Sequence, residues 1–258
     1  MMTDGAVRYA IVNICGEICE RGELPYNGDA TDAIIRYLDK NAERRKIRAV
    51  GIGVPGIVDG LYFHALGADG QWYDSAIGET VEQRFSIPVM LESDLYAAAF
   101  GAGRRYLQQK SLRCENLHLA YIRFDKKCVS AGFLAGGRIL RGWKNFAGEI
   151  GICPADSAFR YGELMERVDS DEAFIHVAVQ LLSAINCFLN PQYIAVGGDA
   201  FRPDCVERIA QKLGERLPAH LLAELIVTDT FEGDYEEGMA YLTAEQIFAD
   251  VQIVKEIR

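Results

Sequence analysis

The stretch LESDLYAAAFG, residues 91–101, sets a carboxylate, Asp94, where the apolar run IPVML gives way to an alanine-rich segment. A carboxylate at a strand-to-helix junction has two uses: it accepts N–H groups of its own helix, or it accepts hydroxyl hydrogens from a ligand. Three further turns share the setting, each glycine-bearing and each at the end of a predicted strand: Pro55-Gly56, Gly136-Gly137 and Gly197-Gly198. Ligands of open α/β sheets gather beyond the carboxyl ends of strands, so the four turns are expected to border a shared cleft. Taken singly, each also reads as an ordinary tight turn.

The elements that must position these turns alternate in type. VRYAIVN and EICERGELPY read as strands about a Gly16 turn, and DATDAIIRYLDKNAERR as an amphipathic helix with Asp29 or Thr31 as N-cap. IRAVGIGVPGIV has the apolar character of a buried strand and closes in Pro55-Gly56. Residues 60–75, rich in Gly, Asp and aromatics, read as a loop; GETVEQRF comes next as a helix, IPVML as a strand and DLYAAAFGAGRRYL as a helix. The second half repeats that grammar: NLHLAYIRF as a strand, VSAGFLAGGRIL as a hairpin, DEAFIHVAVQLLSAINCFL as a long helix, and QYIAVGG as a strand. A helix near 203–217, the strand ELIVTD and the helix YEEGMAYLTAEQIFADV complete it. This alternation predicts an α/β protein of two lobes, residues 1–104 and 105–234, with a helix of about 235–258 packing back on the first.

Half of the chain is hydrophobic, enough for a substantial core, while a net charge of −10 argues against a nucleic-acid surface. The seven cysteines are scattered without CxxC spacing and are expected to be reduced core thiols of a cytoplasmic protein. Cys15 and Cys19 flank the Gly16 turn with no further ligand at zinc spacing nearby. No apolar run approaches the roughly 20 residues of a membrane span.

Taken in order, the motifs resemble the ROK family of bacterial sugar kinases and sugar-responsive repressors, and the resemblance covers nearly the whole chain. VGIGVPGIVDG is similar to the family's GIGVPGxVD, and IPVMLESDLYAAAFGAG to its PVxxENDANAAALGE. GGRILRGWKNFAGEIG resembles NGKLxxGxxGxAGEIGH, and LNPQYIAVGGDAF resembles NPxxIVIGGGIS. The resemblance implies a two-lobed actin-like, ribonuclease H-like ATPase fold. It also implies that Asp94 occupies the place of the general base that takes a proton from the sugar hydroxyl attacking ATP, and Glu149 that of a carboxylate reading sugar hydroxyls.

Three departures bear on that activity. Family kinases open with a strand and a DxGGTK turn that holds ATP phosphates and magnesium. The likeness of this chain begins only after that turn, so either its first lobe lacks the first strand and phosphate loop or the sequence is a piece of a longer protein. The family's other phosphate loop, GTGxGAG, appears as KKCVSAG, residues 126–132, where Lys126, Lys127, Cys128 and Ser130 put side chains in space the phosphate would need. Lys126 and Lys127 read either as an anion-attracting pair or as an exposed charged turn. The family's zinc-binding His falls at Ile152, and only Cys153 stands for three cysteines, so no zinc is expected.

By residue-by-residue carry-over the sugar set is Pro55, Gly56, Ser93, Asp94, Glu149 and, with uncertain register against Met165, Glu166. Trp72, Tyr73 and Trp143 either stack on a sugar or pack internally. The expectation is a carbohydrate-binding regulatory domain or pseudokinase that needs no cofactor and takes a small sugar. It is expected to bind no nucleic acid by itself, to touch no membrane, and to form a homodimer, the helix 172–189 supporting the last weakly. One alternative is a sugar kinase using MgATP, with Asp94 as base and Lys126, Lys127, Ser130, Gly132, Gly197 and Gly198 nearest the nucleotide. The other is a structural or interaction protein without ligands.

Overall fold

A computed structural model of the chain describes residues 2–3, 5–66, 71–111, 113–126 and 128–248. It resolves into two compact units, one drawn from Met1–Ala97 and Glu236–Arg258, the other from Ala98–Tyr235.

In the first unit, β1 (Met2–Thr3), β2 (Ala6–Val12) and β3 (Ile18–Pro25) form an antiparallel sheet. Helix α1 (Ala30–Asn41) starts at Asp29, whose carboxylate accepts the Thr31 N–H at 2.8 Å, so Asp29 is the cap. Next come β4 (Val50–Val54), β5 (Ile57–Asp59), β6 (Tyr62–Leu66), β7 (Trp72–Ser75), α2 (Ile77–Phe85) and β8 (Val89–Ser93). Strands β4 and β8 pair in parallel, whereas β5, β6 and β7 make an antiparallel sheet. Val7, Ile34, Leu38, Ile52, Val54, Phe63, Val81 and Leu91 share one core.

The expected loop at 60–75 is thus largely sheet. Its signal was the alternation in Tyr62–Leu66, where Phe63 and Ala65 are buried and their neighbours are not, a period of two obscured by the surrounding glycines. Residues 67–70 lie outside the described ones.

Helix α3 (Asp94–Lys110) contains the division between the units, which falls between Ala97 and Ala98. Gly103 is there for close packing: a Cβ on it would stand 2.4 Å from Leu134 Cδ1 and 3.0 Å from Leu117 Cδ2.

The second unit contains β9 (Leu119–Asp125), β10 (Cys128–Ala135), β11 (Arg138–Ile139), α4 (Tyr161–Met165), α5 (Asp171–Phe188), β12 (Tyr193–Gly197), α6 (Val206–Arg216) and β13 (Glu224–Val227). The strand order is β11-β10-β9-β12-β13, antiparallel through β10 and parallel across β9, β12 and β13. Phe124, Phe174, Ile175, Leu182, Ile194 and Ile209 are fully or almost fully buried in its core. Phe174 meets Phe124 edge-on, with ring centroids 5.4 Å apart.

Helix α7 (Phe231–Phe248) begins in this unit and, from Glu236, belongs to the first, where Gln246 approaches Met90 and Thr243 lies beside Gly51. The part of the last predicted helix beyond residue 248 lies outside the described residues. The cysteines differ from expectation: all seven are free, but six are exposed and only Cys205 is buried. An apolar neighbour in sequence did not bury them, because turns and strand ends carry most of them outward.

Candidate functional site

In the first unit the candidate residues converge by register. Val54 pairs with Ser93 in parallel, so Pro55-Gly56 and Asp94 leave neighbouring strands at the same carboxyl end. Gly56 admits no other residue comfortably: its φ is +136°, and a Cβ would stand 2.4 Å from the His64 carbonyl oxygen. Ser93 is buried, and its N–H donates to the Glu92 carboxylate at 3.0 Å. Asp94 is half-buried at the head of α3, and Leu95 N–H donates to its Oδ1 at 2.7 Å. Of the two uses of this carboxylate, the fold shows a contact with the first N–H that follows it in its own helix, at the positive end of the helix dipole.

Trp72 and Tyr73 are 52% and 47% exposed, Tyr73 meeting the buried Phe63 ring edge-on at 6.0 Å, whereas Trp143 is 92% exposed and internal packing does not account for it.

In the second unit Glu149 sits in a stretch held flat against β10. Gly148 carbonyl oxygen accepts Ala131 N–H at 3.0 Å, and a Cβ on Gly151 would stand 2.7 Å from the Val129 carbonyl oxygen. Burial pushes the Glu149 carboxyl above the usual carboxylate range. No hydrogen-bond or ion-pair partner meets that carboxylate among the described residues. Helix α4 rests on the same stretch through Gly162, whose Cβ would stand 3.2 Å from the Gly151 carbonyl oxygen, and it ends at the exposed Glu166.

The segment after Ile152 is closed by hydrogen bonds. Asp156 Oδ1 accepts the N–H groups of Ala158 and Phe159, each at 2.7 Å, and these hold its carboxyl below the usual range. Cys153 carbonyl oxygen accepts Tyr161 N–H at 3.1 Å, and Gln180 Nε2 donates to Ala155 carbonyl oxygen at 2.7 Å. Among the described residues no three His, Cys, Asp or Glu side chains gather as a metal site.

The residues assigned to the nucleotide divide. Lys126 is exposed in the β9–β10 turn, and Lys127 lies outside the described residues. Ser130, Arg123 and Gly197 form one cross-strand row on β10, β9 and β12. Gly198 comes next with φ +110°. Gly132 does not belong to a turn: it is buried inside β10 opposite Tyr121, because the expected loop 126–132 becomes strand from Cys128 onward.

Two acids escaped notice in the sequence, Asp125 at the end of β9 and Asp199 after Gly197-Gly198. Asp199 N–H donates to Asp125 Oδ1 at 3.2 Å, and Lys126 N–H donates to Asp199 Oδ1 at 3.1 Å. Their signal was available, since each is a carboxylate directly after a buried strand.

The paired parallel strands, with candidate side chains on the turns at their carboxyl ends, define an α/β protein of the actin-like ATPase fold. The chain belongs to the ROK family, whose model matches residues 6–163, more than half of its length. It is 27% identical over 158 residues to a glucokinase of Halalkalibacterium halodurans, an alignment covering 56% of this chain and 46% of that protein. The chain thus spans about half the length of that relative.

Among solved structures, a ROK family protein from Streptococcus pneumoniae in complex with sucrose superposes with a TM-score of 0.69 at 16% identity, covering 95% of this chain and 96% of that one. A ROK family transcriptional regulator, a homologue of the Escherichia coli MLC protein, gives a TM-score of 0.73 at 15% identity, covering 95% of this chain and 76% of that one. No helix among the described residues is long and apolar enough to cross a membrane.

Proposed function

We propose that this ROK protein binds a small sugar, with Glu149 as the carboxylate that reads its hydroxyls, and does not transfer phosphoryl groups. The observation that carries the reading is the Glu149 carboxylate, partly buried, raised in pKa and without a partner among the described residues. Partial burial disfavours the charged form of a carboxyl unless donors offset it. Vicinal sugar hydroxyls supply the missing donors and fit a two-oxygen acceptor. The sucrose complex of a protein with the same fold agrees with a sugar ligand. The lack of phosphoryl transfer rests on the sequence KKCVSAG, where Lys126, Lys127 and Cys128 stand in place of the small residues that let backbone N–H groups approach a phosphate. No metal or nucleotide is needed for the binding role, and the homodimer remains part of the same proposal.

The test is thermal stabilisation by a panel of hexoses and N-acetylhexosamines without nucleotide, since a ligand of the native state alone raises the melting temperature. A shift with one sugar supports the reading. No shift at millimolar sugar favours a protein that has kept the fold and lost the ligand. The similarity to a glucokinase supports one further reading, a kinase with Asp94 as general base.

A further inference from the structure

Strands β9 and β12 end side by side, because Arg123 pairs with Gly197 in parallel register. At such strand ends, anionic ligands settle on the backbone N–H groups of the succeeding turns. Here the chain's own carboxylates take those donors. Asp125 Oδ1 accepts Asp199 N–H, and Asp199 Oδ1 accepts Lys126 N–H. Asp125 Oδ2 accepts from Arg123 Nε at 2.7 Å, so the strand-end cation is neutralised as well. That guanidinium also lies 4.2 Å from the centroid of the Phe231 ring.

The ring of contacts depends on close approach of the two turns. Ala200 N–H donates to Phe124 carbonyl oxygen at 3.0 Å, and a Cβ on Gly198 would stand 2.2 Å from that same oxygen.

We propose that this strand end is a self-occupied anion seat: Asp125 and Asp199 hold the donors a polyphosphate would need and repel its charge. The seat is an autoinhibitory contact, and it deepens the reading of a ROK protein without phosphoryl transfer, on which it rests. A mere loop staple would tie the same atoms together but would not keep anions out.

The discriminating variant is Asp125→Ala/Asp199→Gly, titrated calorimetrically with tripolyphosphate beside the wild type. The variant is expected to bind at least about tenfold more tightly, which corresponds to ~1.4 kcal/mol. Equal binding by the two proteins overturns the proposal, as does absence of binding by a variant whose circular dichroism and melting temperature match the wild type. If that variant does not fold, Asp125→Asn/Asp199→Asn keeps the acceptors while removing their charge: a gain in tripolyphosphate affinity supports the seat, and no gain refutes it. Sugar-induced stabilisation measured on the same preparations separates the two claims. Loss of the sugar effect alone counts against carbohydrate binding, and loss of the tripolyphosphate gain alone counts against the seat.

Discussion

Replacing Glu149 by Gln keeps the side-chain size and removes the charge, so it should move ligand-free stability and sugar affinity in opposite directions. Burial raises the folded pKa of Glu149 above its unfolded value. A carboxyl of that kind contributes stability that is fully present below the unfolded value of ~4.3 and is lost as pH rises through the folded pKa. Glu149→Gln imitates the protonated form at every pH, so the ligand-free variant should melt higher than wild type at pH 7 and equally near pH 4.

Hydrogen bonds to charged groups contribute about 1.5–3 kcal/mol, so losing the charged acceptor should weaken sugar binding roughly 10- to 150-fold. With sugar at about 100 times the wild-type Kd, wild type gains ~2.7 kcal/mol, or roughly 5–10 °C at the 2–4 °C per kcal/mol usual for a chain of this size. A variant weakened about 100-fold gains only ~0.4 kcal/mol, about 1 °C, at the same concentration. Differential scanning fluorimetry at pH 4, 5.5 and 7, with and without sugar, measures both effects. An unchanged sugar shift in Glu149→Gln, or a ligand-free variant less stable than wild type at pH 7, would refute the role assigned to this partly buried carboxylate.

Gly56→Ala forces an L side chain to φ +136° and a Cβ to 2.4 Å from the His64 carbonyl oxygen; about 2–4 kcal/mol of destabilisation is expected by urea denaturation. Asp156 holds a depressed pKa through the N–H groups of Ala158 and Phe159, so its contribution is present above the unfolded carboxyl pKa and lost as pH falls through the folded one. Amide exchange at residues 153–160 should therefore accelerate in acid relative to the rest of the second unit, and Asp156→Ala should abolish that pH dependence. Arg105 Nη1 lies 2.7 Å from Asp234 Oδ1, and Tyr121, Thr228 and Thr230 hydroxyls converge on Oδ2. Arg105→Met leaves that carboxylate without its cation, and a loss of about 3–5 kcal/mol is expected at pH 7. Burial raises the Asp234 pKa despite Arg105, so the defect should shrink as pH falls and the carboxyl protonates. A loss independent of pH would assign it to packing instead.

The fold was legible wherever hydrophobic runs were long and bounded by glycine turns. Alternating strands and helices gave the α/β class, and the Asp94 junction sits where LESDLYAAAFG placed it. What escaped depended on contacts between segments distant in sequence. The Asp125–Asp199 interlock joins residues 74 positions apart: a carboxylate at each strand end was legible, but their pairing was not. The helix DLYAAAFGAGRRYL was legible, but the reason for Gly103 was not: its lack of a side chain makes room for Leu134 and Leu117, which only tertiary packing brings near. Glu149 was suggested by its motif. Its lack of a partner and its burial became visible only once AGEIG was laid on β10.

The most direct measurement is ADP release from MgATP in a coupled assay with each sugar of the panel, run beside the sugar-induced melting shift on the same protein. A sugar that stabilises the protein while ADP release stays at the no-sugar background is the expected result. Sugar-dependent ADP release that disappears in Asp94→Asn would contradict it and establish this chain as a working sugar kinase.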